Sequence, residues 1–455
     1  MVLADTYPQP PSPPAPRIRG HYKGLQDDPL RYLHESAIKY GDIVFMHVGR
    51  VPIYTVNDPV LIERILVTDN KKFRKAHLLH LAEETLGNGL LTSEGSFWLR
   101  QRRMAAPAFH RERISEYGRT MVELTDRMIA TWQDGEVRDV HQEMMHVTLE
   151  IVTRTLFGGN IDRETMSEVG SILDIALGRF NEYQTFFYHL FDWLPRPGKR
   201  RFTNAIARLD SIIFQLVEQH RGRNLSPEED HTLLGTWLAA RDDEGTGMTD
   251  KQLRDEIVTL FLAGHETTAN ALTFALYLLH ANPDKRERLE EELHTVLGNR
   301  LPQPSDIHSL TYTEKVVRET LRLYPPAWRV GRETVEEYKL GQYVLPPRSQ
   351  VMICQWTVQR DPRWFNDPES FVPERWTKDF EKSIPRYAYF PFGGGPRLCI
   401  GASFAEMEAV LLLATICQRF RIDHLSSEPP ELYPSITLRP VQGSSNAKLT
   451  RLRNS

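Results

Sequence analysis

The 455-residue chain is poor in cysteine: Cys354, Cys399 and Cys417 are its only three, far apart, with no CxxC pair. This argues against a disulfide framework and fits the reducing cytoplasm. An excess of basic charge is also missing. The 56 Lys and Arg against 60 Asp and Glu leave a net charge of −4, without the electrostatic footprint of a nucleic-acid binder. The opening MVLADTYPQPPSPPAPRIRG has no apolar centre for a signal peptide or anchor, and its prolines predict a flexible segment over residues 1–18. From Ile257 to Pro283 Glu266 is the one formally charged residue, but GHETTAN interrupts the apolar run. A central acid costs about 2.5–3.5 kcal/mol in lipid, so a helix buried in protein is expected, and no membrane span. There is no internal repeat.

What is present reads as a globular enzyme, 40% apolar and 25% charged. Helical periodicity dominates. PLRYLHESAIKYG predicts a helix, DIVFMHV and PIYTV a strand pair, and Asn57-Asp58-Pro59 a capped helix start. Long 3.6-residue patterns cover 112–158 and 161–222, broken by LPRPGKRR from Leu194 to Arg201. The longest helix has capping-box spacing at Thr249 and Gln252 and stops at Asn282-Pro283. Beyond Pro326 short strands appear, and a last helix runs from Ala402 to about Phe420. No linker divides these parts, so the expectation is one domain over 19–455, mainly α with small β-sheets.

FGGGPRLCIG, Phe392 to Gly401, places a cysteine inside a glycine run. A phosphate loop would need a lysine and a hydroxyl after its last glycine, and neither is there. Structural zinc needs four ligands, and no cysteine or histidine lies near Cys399 in sequence. Taken alone, Cys399 fits an inert core cysteine equally well. Its neighbours favour another use. Gly393, Gly394 and Gly395 permit close backbone approach to a flat partner, and Arg397 offers a guanidinium fork to a carboxylate. Backbone N–H groups of the loop and the following helix start would stabilise a thiolate. Together these describe an axial cysteine on haem iron.

Phe392, Gly395, Arg397, Cys399 and Gly401 match the F-x-x-G-x-R-x-C-x-G loop of the cytochrome P450 monooxygenases, which the chain resembles. The resemblance implies that family's fold, a long central helix over haem b (iron protoporphyrin IX) with the cysteine loop beneath, and Cys399 as iron ligand. Three further motifs follow in the family's order. Glu319 and Arg322 in EKVVRETLRLYPP, with Arg375 in FVPERW, resemble its E-x-x-R and P-E-R segments and imply a buried structural network. Ala263 to Thr268, AGHETT, resembles its central-helix motif. There Glu266 and Thr267 stand as the acid–alcohol pair that delivers protons, beside Ala263 and Gly264 against the haem. Gly264 costs about 1 kcal/mol relative to alanine in mid-helix, so something must require it, and helix packing is the plain alternative. Trp98 and Arg102 share a helical face and resemble the family's W-x-x-x-R propionate contact. Arg332 and Arg397 are implied as further propionate contacts, and Arg329 is assigned to that cluster rather than to a substrate carboxylate. Arg100 and Arg103 read as a solvated basic face. Gln359 departs from the histidine many members carry before Arg-Asp, and little weight is placed on it.

By resemblance the reaction inserts one oxygen atom of O2 into an apolar small molecule, by hydroxylation or epoxidation. The chain has no flavin or iron–sulfur region, so electrons are expected from a ferredoxin or flavodoxin with a NAD(P)H-dependent reductase. Leu262, Ala327, Val330, Ile436 and Thr437 are expected to line the substrate pocket, with the aromatic stretch Phe180–Phe191 as a lid, or equally as helix packing. A fatty acid or terpenoid is the expected substrate. Peroxide-driven relatives tend to alter the acid–alcohol pair and a haem sensor does not need it, so Glu266-Thr267 argues for a monooxygenase.

Overall fold

A computed structural model of the chain describes residues 8–16, 18–158, 161–183, 197–223, 225–226 and 229–452. The longer helices are α1 (Pro29–Tyr40), α2 (Gly95–Ala105), α3 (Arg111–Ile129), α4 (Val140–Phe157), α5 (Arg163–Tyr183), α6 (Pro197–Arg221), α7 (Asp250–Ala281), α8 (Pro283–Leu297), α9 (Thr311–Leu323) and α10 (Ala402–Cys417). The strands are β1 (Ile43–Val48), β2 (Val51–Val56), β3 (Phe73–Lys75), β4 (Val137–Asp139), β5 (Val330–Thr334), β6 (Tyr338–Leu340), β7 (Tyr343–Leu345), β8 (Gln350–Ile353), β9 (Phe420–His424), β10 (Leu432–Pro434), β11 (Leu438–Pro440) and β12 (Asn446–Arg451). The expected mainly helical class is observed.

Contacts divide the backbone into two compact units. The first comprises the chain up to His80 and Arg318–Cys399. Its sheet has the order β1-β2-β8-β5-β3, with β2 and β8 parallel and the other neighbours antiparallel. The β-branched and aromatic residues of these strands, including Tyr54, Phe73 and Val351, form a core with Ile62, Leu66 and Phe390. The local signals act where the sequence put them. Asp58 caps the helix opened by Pro59, accepting from Leu61 N at 2.8 Å, and Asp28 caps α1 by accepting from Arg31 N at 3.1 Å.

The second unit is Leu81–Val317 with Ile400–Ser455. At its centre, α7 runs for 32 residues, nearly 50 Å at about 1.5 Å per residue. Its capping box is formed: Thr249 Oγ1 accepts from Gln252 N at 3.3 Å and Gln252 Oε1 accepts from Thr249 N at 2.9 Å. It packs on α4 and α10. The pattern over 112–158 is not one helix. It breaks after Ile129, and β4 pairs with β12, which in turn pairs with β9. The helix ends with Ala130 as its C-cap, and the turn at Asp134-Gly135, with Gly135 at φ 80°, then leads into β4. The last helix stops at Cys417 rather than near Phe420, because Phe420 opens β9. Of the aromatic stretch expected as a lid, residues 184–191 lie outside the described residues, as do residues 1–7 and 17 of the N-terminal segment and 194–196 of the helix breaker.

Candidate active site

The cysteine loop belongs to the first unit. Gly393 and Gly395 take positive φ, 74° and 65°, which an L side chain rarely adopts. A Cβ at Gly395 would overlap the Leu66 carbonyl oxygen, so the loop lies directly on the backbone of the short π-helix Arg64–Thr68. A 3-10 turn over Gly395–Arg397 follows, with Arg397 half-buried, and Cys399 N then donates to Phe392 O at 3.0 Å, closing the loop. The result is a loop whose backbone is held at Gly395 and at Cys399. Cys399 is exposed, whereas Cys354 and Cys417 are buried. Among the described residues no group of three or more His, Cys, Asp and Glu could hold a metal ion, so the zinc alternative finds no ligand set there.

Behind the loop in the same unit, the acid and guanidinium of α9 are fully buried and fully bonded. Arg322 uses all five of its N–H donors: on both oxygens of Glu319 (3.0 and 2.8 Å) and on the carbonyls of Gln359 (2.9 Å), Pro368 (2.6 Å) and Ser370 (3.0 Å). Glu319 also accepts from Arg375 Nε at 2.9 Å, Trp376 Nε1 at 2.9 Å and Val372 N at 3.1 Å. Gln359, a minor departure in the sequence, is a structural residue in the fold. Buried, its amide donates to the carbonyls of Leu321 (2.9 Å) and Arg322 (3.1 Å), and its carbonyl accepts from Phe390 N at 3.1 Å. It ties the end of α9 to the strand of chain that enters the cysteine loop. Arg332, half-buried in β5, donates to Gly331 O at 2.9 Å, and the Arg329 guanidinium stacks 4.5 Å from the Trp328 ring centroid. Ala327 and Val330 are half-buried.

In the second unit, α7 is buried from Leu253 to Leu279 except at Leu260, Ala263, Gly264 and Thr267. Those four follow i, i+3, i+4, i+7 spacing, a single face of the helix. Leu262 is 6% exposed and lies off that face, because each residue turns the helix by about 100°, so the expected pocket position is a core position. Thr267 Oγ1 donates to Ala263 O at 2.7 Å, and the helix continues unbroken through it. Gly264 has a packing reason: a Cβ there would sit 3.1 Å from Val152 Cγ2 on α4. Glu266 is 1% exposed and turned away from the accessible face, and burial raises its pKa. Its Oε1 accepts from Thr437 Oγ1 at 2.7 Å, with Arg439 Nη1 at 3.8 Å, while Oε2 has no hydrogen-bond partner among the described residues. Thr437, expected in the substrate pocket, is instead bonded to the acid; its neighbour Ile436 is half-buried.

On α2, Trp98 is buried and the Arg102 guanidinium lies 6.0 Å from its ring centroid, as i, i+4 spacing requires. Arg100 is not a solvated surface charge. It donates to Asp242 Oδ2 at 2.6 Å and to Gly247 O at 3.1 Å, fastening the loop before α7, whereas Arg103 is exposed. Gly401 is the N-cap residue of α10.

Glu408 on α10 is the titratable group that motif reading missed. It is 0% exposed, neither oxygen has a hydrogen-bond partner among the described residues, the nearby Thr268 hydroxyl being given to Gly264 O, and burial pushes its carboxyl up to about 8. An unfolded carboxyl ionises near 4.5. Between those values the native state binds the extra proton, so stability falls as pH rises, by up to about 1.4 kcal/mol per pH unit. Glu408→Gln removes that slope. Thermal unfolding followed from about pH 5 to pH 8 should show the variant gaining on the wild type as pH rises; parallel curves would contradict it.

In the first unit, the exposed thiol on a backbone-anchored glycine loop fits the ligand of a flat, bulky group; in the second, taken by itself, α7 has one accessible face on an otherwise buried helix. Comparison with known proteins agrees. The family model described as Cytochrome P450 matches residues 10–447. Cyclooctatin synthase of Streptomyces melanosporofaciens is 37% identical over 89% of this chain and 88% of its own. Cyclooctat-9-en-7-ol 5-monooxygenase of the same organism is 35% identical over 89% and 87%, and pentalenene oxygenase of Streptomyces avermitilis 33% over 94% and 93%.

Proposed function

The chain belongs to the cytochrome P450 family of haem-b-binding monooxygenases, and from that premise we propose that Cys399 would supply the thiolate that holds the haem, with Phe392, Gly393, Arg397 and Gly401 shaping its loop. Residues 19–455 act as one catalytic domain. Trp98, Arg102, Arg332 and Arg397 would hold its propionates, since a guanidinium fork matches a carboxylate. Ala263 and Gly264 face the cofactor. Haem b supplies the activation of O2 and the transfer of one oxygen atom to carbon, chemistry that a thiolate ligand favours.

The protein's share is the control of protons. The observation that carries the reading is the placement of Thr267 on the accessible face of α7 one residue after the buried acid Glu266. Thr267 Oγ1 donates its hydroxyl proton to Ala263 O, so its lone pairs are left to accept a hydrogen bond on the accessible side. Glu266, held out of water with a raised pKa, is a proton source poised nearer neutrality than an ordinary carboxyl. Thr267→Ala is expected to retain haem but to release most reducing equivalents as hydrogen peroxide rather than product, while Thr267→Ser stays close to wild type. Peroxide formed per NAD(P)H consumed reads this directly, and an unchanged ratio would remove the hydroxyl from the mechanism.

Electrons come from a ferredoxin or flavodoxin with a NAD(P)H-dependent reductase, and the enzyme works in the cytoplasm. Among the described residues no helix is long and apolar enough to cross a membrane. The substrate is an apolar, terpenoid-like small molecule, supported by relatives named for pentalenene and for cyclooctat-9-en-7-ol. A screen of fatty acids, terpenes and sterols for a substrate-induced haem spin shift tests this. Responses confined to fatty acids would overturn the terpenoid assignment.

A further inference from the structure

Glu266 sits at the end of a directed hydrogen-bond chain that no motif announces. His141, half-buried in the first turn of α4, places Nε2 2.9 Å from Asn270 Oδ1. Since that amide oxygen only accepts, the imidazole donates from Nε2. Asn270, 0% exposed, turns its amide nitrogen to Thr437 Oγ1 at 3.5 Å, the longest link. Thr437 then has its own proton to give, and gives it to Glu266 Oε1 at 2.7 Å. Every donor points towards the acid. Arg439, two residues further along the hairpin formed by β10 and β11, adds positive charge 3.8 Å from the same oxygen.

We propose that Thr437, Asn270 and Arg439 are positioning residues that hold Glu266 Oε1 as an acceptor and confine its transferable proton to Oε2, the oxygen left without a partner. The consequence follows from elementary valence. An oxygen already accepting from a hydroxyl beside a guanidinium is the less basic of the two, so the proton resides on the other. The hairpin thereby fixes which atom releases the proton and at what pH. Other groups bear on the acid as well. Asp174 on α5 raises its pKa, Arg439 and Thr437 lower it, and His265, next to it on α7, is directed at Phe261 O with its own pKa pushed down to about 4 by burial. Burial likewise keeps His141 below the ordinary imidazole value, neutral and able to hold the Nε2 proton.

The inference takes its meaning from the monooxygenase reading, but its test does not need turnover. In resting holoprotein, infrared difference spectra over a pH series identify the Glu266 carboxyl as the band lost in Glu266→Gln and kept in Glu408→Gln. Thr437→Val removes the donor, so the midpoint of that band should move to higher pH and its frequency should change. Thr437→Ser should restore both. Arg439→Gln, which keeps the hydroxyl, should also raise the midpoint, and it carries the test if Thr437→Val fails to fold. A band with the same midpoint and frequency in Thr437→Val and Arg439→Gln would overturn the proposal. That result would leave the enzyme's reaction class standing, whereas a chain with no thiolate signature but shifted titrations would do the reverse.

Discussion

Replacing Arg322 by alanine is expected to leave no recoverable folded holoprotein. All five guanidinium donors are engaged at 0% exposure, two on Glu319 and three on backbone carbonyls. Breaking a buried ion pair costs about 3–5 kcal/mol, because the surviving charge stays buried. Each orphaned carbonyl adds about 1–3 kcal/mol. The sum rivals the roughly 5–15 kcal/mol that holds a domain folded. Glu319 keeps Arg375 and Trp376, but those bonds cannot satisfy the three carbonyls contributed by Gln359, Pro368 and Ser370. Arg322→Lys should recover only a minor fraction, since an ammonium has three donors where five are needed. Yield of haem-loaded protein and its unfolding temperature are the measurements. Wild-type recovery of the alanine variant would contradict the network's structural role.

Cys399→Ser should separate fold from chemistry in the opposite way. The side chain is exposed, and the loop is closed by a backbone bond, Cys399 N to Phe392 O, which the serine keeps. Its backbone path is set by Gly395 on the Leu66 carbonyl rather than by the thiol. Little packing is lost, so circular dichroism and the unfolding transition of the cofactor-free protein should match the wild type within about 0.5 kcal/mol. Haem ligation, by contrast, should lose every thiolate feature, and substrate oxidation should fall to background. A variant that retained oxidation would move the ligand assignment elsewhere. One substitution in a buried structural network thus removes the fold, while another at the ligand leaves it intact.

The motifs were legible because each is local. The capping box at Thr249 and Gln252 gave the start of α7 to the residue, and Asn282-Pro283 its end. Glu319 and Arg322 meet because three residues is nearly one helical turn, and Trp98 and Arg102 because four is slightly more. Non-local partnerships were not legible. Nothing near Thr437 in sequence indicates that it meets Glu266, 171 positions away. The strand Val137–Asp139 was absorbed into a helical pattern because its partner, β12, lies more than 300 residues on, although Asp134-Gly135 marked the turn before it.

Glu408 is a different kind of omission. The last helix carries two acids two positions apart: Glu406 is exposed, while Glu408, directly before the apolar run AVLLLATIC, is buried. Adjacency to that run is the only sequence signal that separates them. Gln359 was undervalued for the reason that it was seen only as a departure from a motif. Its amide supplies two donors and an acceptor at once, and the structure uses all three.

Cys399, on its glycine loop, would be the thiolate that ligates the haem. The most direct measurement of this is the absorption spectrum of the purified, reduced protein under carbon monoxide. Ligation by Cys399 should give the strongly red-shifted Soret band that a thiolate produces. A Soret band typical of histidine-ligated haem in native, folded protein would contradict it.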